Sequence, residues 1–173
     1  MIACGAALGE APTVQSPLPS LSIADRGELK LVDNEFSFTP WGSEQNPGKV
    51  HIIQYFGGTK SDSKIFKPFT DLLRETFRVG TYHVTTIINL DAAMWGTSGL
   101  VVAEIKESKR KFPLSTMVLD EDGAGAQKWQ LGERGAGLVI LDSQGIVRYF
   151  TTEAMSAEEM RVSLNLVRSN MDS

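Results

Sequence analysis

VHIIQYFGGTKSDSKIFKP, running from Val50 to Pro68, is the stretch that decides how this chain folds. Residues 50–56 are apolar apart from His51 and Gln54, a pattern suited to a strand covered on both faces. Gly57 and Gly58 follow as a turn, and a helix is expected from about Lys64. Its apolar residues Ile65, Phe66, Phe69, Leu72, Leu73 and Phe77 fall near one face at a period of 3.6. Pro68 is expected to kink that helix, because its ring removes a backbone donor and crowds the carbonyl one turn back.

Working outward, residues 82–90 (YHVTTIINL) read as a second strand, parallel to the first because a helix connects them. A helix over 100–111, ended by Pro113, leads to a buried strand at 114–119. A short helix over 125–131 carries Trp129 on its packed side. Residues 138–141 and 146–150 form a terminal hairpin around the turn Asp142-Ser143-Gln144-Gly145. Ser156 and Glu159 form a capping box for a last helix with Met160, Leu164 and Val167 on one face. Upstream, SLSIADRGELKL reads as an N-terminal β-hairpin turning at Asp25-Arg26-Gly27, and 35–41 as an edge strand that Pro40 ends. Alternating strands and helices without internal repeats give an α/β domain with a central mixed sheet.

At 173 residues and 42% hydrophobic, the chain can bury one substantial core. Its formal charge of −4 and pI of about 5.2 leave no electrostatic footprint for nucleic acid. The densest basic run, KESKRK at 106–111, reads as a solvated helix face. No run is long enough for a transmembrane segment. Residues 1–19 are expected to be a residual signal or linker segment, with Pro- and Ser-rich residues 13–20 leading onto a domain over 20–173. Within residues 1–11, two further readings stand beside a plain tail: the remnant of a cleaved export signal, or a lipoprotein acceptor with a lipid anchor at Cys4.

The strand, Gly-rich corner and proline-bearing helix resemble the core of the thioredoxin superfamily, whose motif is W-C-G-P-C-K-x-x-x-P. It falls on residues 59–68, T-K-S-D-S-K-I-F-K-P: Lys64 and Pro68 match, while Lys60 and Ser63 stand where both cysteines belong. Thiol–disulfide exchange needs a thiolate attacking a second sulfur. With Cys4 as the single cysteine of the chain, a two-cysteine oxidoreductase is excluded. The added helix–strand unit resembles the peroxiredoxin-like branch of this fold. That superfamily also implies a cis-proline before the terminal hairpin; its place falls on Ala136, where a cis bond would cost about 2.5–4 kcal/mol. The order of I-A-D-R-G-E-L (23–29), F-x-F (36–38), Trp41, T-T-I-I-N (85–89), W-Q-L (129–131) and E-A-M-S-A-E-E (153–159) is similar to the YtfJ family of small bacterial proteins. That resemblance implies a thioredoxin-like fold, a periplasmic location and no established chemistry.

The candidate ligand-binding residues are Gly58, Thr59, Lys60, Ser61, Asp62 and Ser63 at the corner, with the facing backbone of Ala136. Backbone N–H groups at a helix start favour anions, and Lys60 and Lys64 add positive charge. The plainer reading is that Asp62 or Ser63 caps the helix while the glycines make the turn. A serine nucleophile would need His51 or His83, yet both begin strands whose far ends carry the corner, roughly 17 Å away. Asp91, Asp120 and Asp142 close strands and could suggest a hard-cation site, but Asp120 and Asp142 each head a turn with Gly three residues on, so turn stabilisation is the preferred reading; a transition-metal site lacks a His or Cys cluster. Trp95 is read as a partly exposed aromatic. No catalytic residue, metal ligand or cofactor is assigned.

The expected function is a redox-inactive binding or adaptor module for a protein, peptide or small anion. The alternative is an enzyme using an external thiol in the manner of glutathione transferases, through hydroxyls of Thr59, Ser61 or Ser63. An assembly or folding helper recognised through Lys60 and Trp95 is a third class.

Overall fold

The computed structural model describes residues 9–45, 47–93 and 96–171. Cys4, the first eight residues of the N-terminal segment and Trp95 lie outside them. Seven strands form one mixed sheet in the order β2-β1-β5-β4-β3-β6-β7. At its centre β3 (His51–Gly57), β4 (His83–Asn89) and β5 (Thr116–Asp120) run parallel. The flanking strands β6 (Gly137–Leu141), β7 (Val147–Thr151), β1 (Ser22–Val32) and β2 (Glu35–Gly42) are antiparallel to their inner neighbours.

The apolar run of β3 is buried on both faces, as its composition requires, and its alternation feeds two hydrophobic clusters. Ile52 and Phe56 point to one face, where they pack with α1 (Lys67–Thr76), α2 (Ser98–Lys111) and α4 (Ala157–Met171) through Phe69, Leu73, Ile105 and Val167. Ile53 and Tyr55 point to the other face, which α3 (Ala124–Lys128), Trp129, Leu131 and the segment before β1 close. The helices α1 and α2 share a face because two successive parallel crossovers of the same hand place them there.

Several expectations change in the fold. Pro68 does not kink a running helix: a short 3-10 turn, Asp62–Lys64, comes first, and Pro68 sits in the first turn of α1. There the missing N–H would have had no helical partner, so proline is at home. The bend expected at Asp25–Gly27 is an irregularity inside one long strand, where Gly27 takes φ +73° and the register with β2 shifts between Ile23 and Glu28. A Cβ at Gly27 would stand 2.2 Å from the Thr39 carbonyl oxygen. The chain reverses instead at Asp33 and Asn34, both with positive φ, joining β1 to β2. Nor does Pro40 end β2, which continues to Trp41 paired with Ile23; an edge strand can spare the missing N–H.

The expected linker is docked. Glu10 N donates to the Lys128 carbonyl, Gln15 N to Val147, and Val147 N back to Ser16. The Trp129 indole donates to the Pro19 carbonyl at 2.8 Å, fixing the largest side chain of the closed face. The basic run on α2 is solvated except at Lys109, which is buried and donates to the carbonyls of Pro113 and Ser115, tying down the exit of the helix. Ser156 and Glu159 form the expected capping box.

Candidate functional site

Parallel strands deliver their C-terminal ends to one pole, and the corner 57–63 lies there at the end of β3. Its shape is held from within. Gly58 N donates to the Asn89 carbonyl at 2.8 Å, tying the corner to the end of β4. Thr59 Oγ1 donates to Asp62 Oδ2 at 2.7 Å and accepts from Asp62 N at 3.0 Å, bracing the start of the 3-10 turn. Neither Asp62 nor Ser63 caps the helix as expected: the N-cap position of α1 is Phe66, with no side-chain cap bond. Ser63 Oγ donates to the Lys60 carbonyl at 3.1 Å. A Cβ on Gly57 would stand 2.7 Å from Asp62 Oδ2 and 3.0 Å from the Ala92 methyl, so glycine is what lets the carboxylate fold back.

The Asp62 carboxylate is taken up by the Thr59 hydroxyl. The hydroxyls of Thr59 and Ser63 donate to groups of the same loop, leaving Ser61 as the hydroxyl without such a bond among the described residues. Ala136 has no cis bond before it and is 1% exposed, packed in the cluster that holds Phe56 and Ile65.

From the corner a cleft of about 1300 Å³ runs between α1 and α2, floored by β3, β4 and β5. Gly58, Thr59, Lys60 and Ser63 line its upper end; Ser61, Asp62 and Ala136 do not. Its floor joins apolar Phe56, Val84, Ile88 and Met117 to one polar step, where Gln54 Nε2 donates to Thr86 Oγ1 at 2.7 Å. The signal for that floor was present in the sequence as a lone amide interrupting the apolar run of β3. Arg74, Leu100, Lys111 and Leu114 also border the cleft, and nothing in the periodicity of their segments marked them.

The opposite pole carries the two histidines, of which His83 lines the far end of the cleft. His51 and His83 pair across β3 and β4 with ring centroids 5.1 Å apart. Their Nε2 atoms bond Thr85 Oγ1 at 2.7 Å and Thr116 Oγ1 at 2.9 Å. Burial, with a smaller contribution from His83, lowers the His51 pKa to about 3, so the ring is neutral at ordinary pH. On the closed face Tyr55 Oη donates to Asp120 Oδ2 at 2.7 Å, and burial followed by that carboxylate pushes the phenol pKa well up. The Asp120 carboxylate also accepts from Ala124 N and Gly125 N, holding the start of α3. Asp142 accepts from Gln144 N, Ile146 N and Arg148, which is the turn duty expected of it.

The family described as "Bacterial protein of unknown function (YtfJ_HI0045)" matches residues 13–170. The chain belongs to the YtfJ family. It is 30% identical over 152 residues to the Uncharacterized protein YtfJ of Escherichia coli (strain K12), covering 87% of this chain and 83% of that one. Among solved structures, one from Bacteroides thetaiotaomicron, provisionally named a protein disulfide isomerase, aligns with a TM-score of 0.62 at 15% identity, over 96% of this chain and 94% of that one. The thioredoxin domain of a thiol-disulfide oxidoreductase from Bacteroides vulgatus aligns with a TM-score of 0.56 at 9% identity, over 90% and 98% of the two chains. The sheet and its flanking helices are therefore a thioredoxin-like fold. In this YtfJ-family chain Lys60 and Ser63 stand at the redox corner, so it is not a two-cysteine oxidoreductase.

Proposed function

We propose that this YtfJ-family protein is a binding module of the bacterial periplasm, engaging its ligand or partner at Gly58, Thr59, Lys60 and Ser63 and along the cleft that opens from them. Ser61 and Asp62 belong to the framework of that corner, and Ala136 supports it from below. One observation carries the reading: the positions of the missing cysteines, Lys60 and Ser63, line the mouth of a large cleft. A corner that no longer exchanges sulfur yet keeps an internally bonded shape is suited to recognition. The α2–β5 unit inserted between β4 and β6 supports placing the fold in the peroxiredoxin-like branch. The periplasmic location is supported by the family resemblance.

A photo-crosslinking amino acid at position 60, in protein expressed with the native upstream region, tests the reading. A discrete adduct is expected from position 60 and none from position 128, on α3 across the sheet. Equal labelling at both positions, no adduct at position 60, or recovery of the protein only in the cytoplasmic fraction would count against it.

A further inference from the structure

The cleft has a composition that points to a ligand class. Among the described residues the three most exposed large hydrophobic side chains are Leu100 at 68%, Val79 at 67% and Leu114 at 67%, and all three border it. Below them lies the apolar floor of Phe56, Val84, Ile88 and Met117. Leu100 opens α2 at the corner end, and Val79 and Leu114 follow α1 and α2 at the other, so exposed apolar groups rim the cleft along its length, as on a surface that is covered in use.

Charge is distributed just as unevenly. The chain carries 17 basic and 21 acidic residues, yet the cleft is lined by Lys49, Lys60, Arg74 and Lys111 and by one acid, Glu104; Arg74 is also paired with Asp71, and Lys49 Nζ donates to the Gly80 carbonyl. Lys49 precedes β3, while Arg74 and Lys111 close α1 and α2, so three of these cations share the pole opposite the corner. Arg74 and Lys111 both lie over the Phe112 ring, at 4.8 and 5.3 Å from its centroid. Cations at helix ends are ordinary complements of the helix dipole. Lys49 is on no helix, however, and the dipole explains none of the exposed apolar rim.

We propose that this cleft binds a long-chain acyl amphiphile with an anionic head, the chain lying along β4 and the head meeting Lys49, Arg74 and Lys111. The seven residues of β4 give a trough roughly 20 Å long, the scale of an extended acyl chain rather than of a compact metabolite. The volume of about 1300 Å³ exceeds the 300–1,000 Å³ usual for compact ligands. Gln54 Nε2 donates to Thr86 Oγ1 on the floor, which lowers the polar cost of an acyl chain crossing that step. The inference rests on the cleft being the binding surface, and it adds the chemistry of the occupant.

The test is displacement of a dansyl-labelled undecanoic acid from the full-length protein, below the aggregation threshold of each competitor. Palmitate and a lysophosphatidic acid form the carboxylate and phosphate arms, and hexadecyltrimethylammonium is the cationic control. Both anionic amphiphiles are expected to displace the probe, and the cationic one is not. The double variant K49E/K111E should weaken palmitate by at least about ten-fold. L100E/L114E should abolish probe binding with an unchanged circular dichroism spectrum, since both side chains are exposed. Equal displacement by the cationic amphiphile, no displacement by palmitate, or indifference to both double variants would overturn the proposal. So would a dimer in light scattering that L100E/L114E dissociates, because the cleft would then be covered by a second copy. A position-60 protein adduct that persists when palmitate fails would leave the binding module standing without this ligand.

Discussion

The two faces of the sheet are built to different ends. On one, Tyr55, Trp129 and Leu131 interlock so closely that Gly125 has no room for a methyl: a Cβ there would lie 2.3 Å from the Tyr55 ring. Every polar group named on that face has a partner, from the Trp129 indole to the Tyr55 hydroxyl and the Asp120 carboxylate. On the other face, α1 and α2 stand apart over β4, and α2 buries only Ile105 and Lys109. The comparison teaches that the face of α3 is closed, while the face of α1 and α2, which carries its own buried cluster around Phe69 and Leu73, keeps an open cleft beside that core. Proteins give up core packing in this way where a surface is used.

Substitutions can break or sharpen that contrast. The largest effect is expected from Trp129→Ala on the closed face, about 3–5 kcal/mol lost in a urea melt, because a fully buried indole leaves a cavity and an unpaired Pro19 carbonyl. A loss no larger than that of an exposed residue would dissolve the distinction between the faces.

Acidification comes next. The His51 ring is held neutral in the fold until about pH 3, whereas an unfolded imidazole takes its proton near pH 6.5. Stability is therefore full above about pH 6.5 and falls as the pH drops toward 3, by up to about 1.4 kcal/mol per pH unit from this ring. Urea midpoints at pH 7 and pH 5 should lie closer together in His51→Gln than in the parent. An unchanged gap would mean that this ring is not what titrates.

Gly125→Ala should cost about 1–3 kcal/mol through overpacking against Tyr55, seen as a lower melting temperature. The smallest effect belongs to the open face: Leu100→Ala should change stability by less than about 0.5 kcal/mol. If it instead destabilised as Gly125→Ala does, Leu100 would be part of a core and the cleft would not be open surface.

Much of the architecture was legible because it is local. The apolar run of β3, the capping box at Ser156 and Glu159 and the turn at Asp142 each follow from a few adjacent residues, and each is present. Harder to see was which of two plausible turns the chain would use. Gly27 invites a bend, but pairing of β1 with both β2 and β5 outweighs that local preference, and the reversal moves to Asp33 and Asn34. Likewise Thr13–Ser20 has the composition of a linker, yet β7 and Trp129 offer it backbone and side-chain partners far along the chain. At the corner, the order of residues identified the loop; the mutual bond of Thr59 and Asp62 needed the actual path of the backbone.

By itself the sequence determined what chemistry is closed to this protein: a chain whose single cysteine is Cys4 cannot run a dithiol cycle, however its backbone is arranged. It also determined the alternation of strands and helices from β3 onward, because side-chain periodicity is written residue by residue. Only the tertiary structure decided that α1 and α2 leave a cleft over β4 and that cations from three separate segments meet at one end of it. The spacing between two packed helices depends on side chains far apart in the chain, and a hydrophobic period reports which way a residue faces, never how near its neighbour stands.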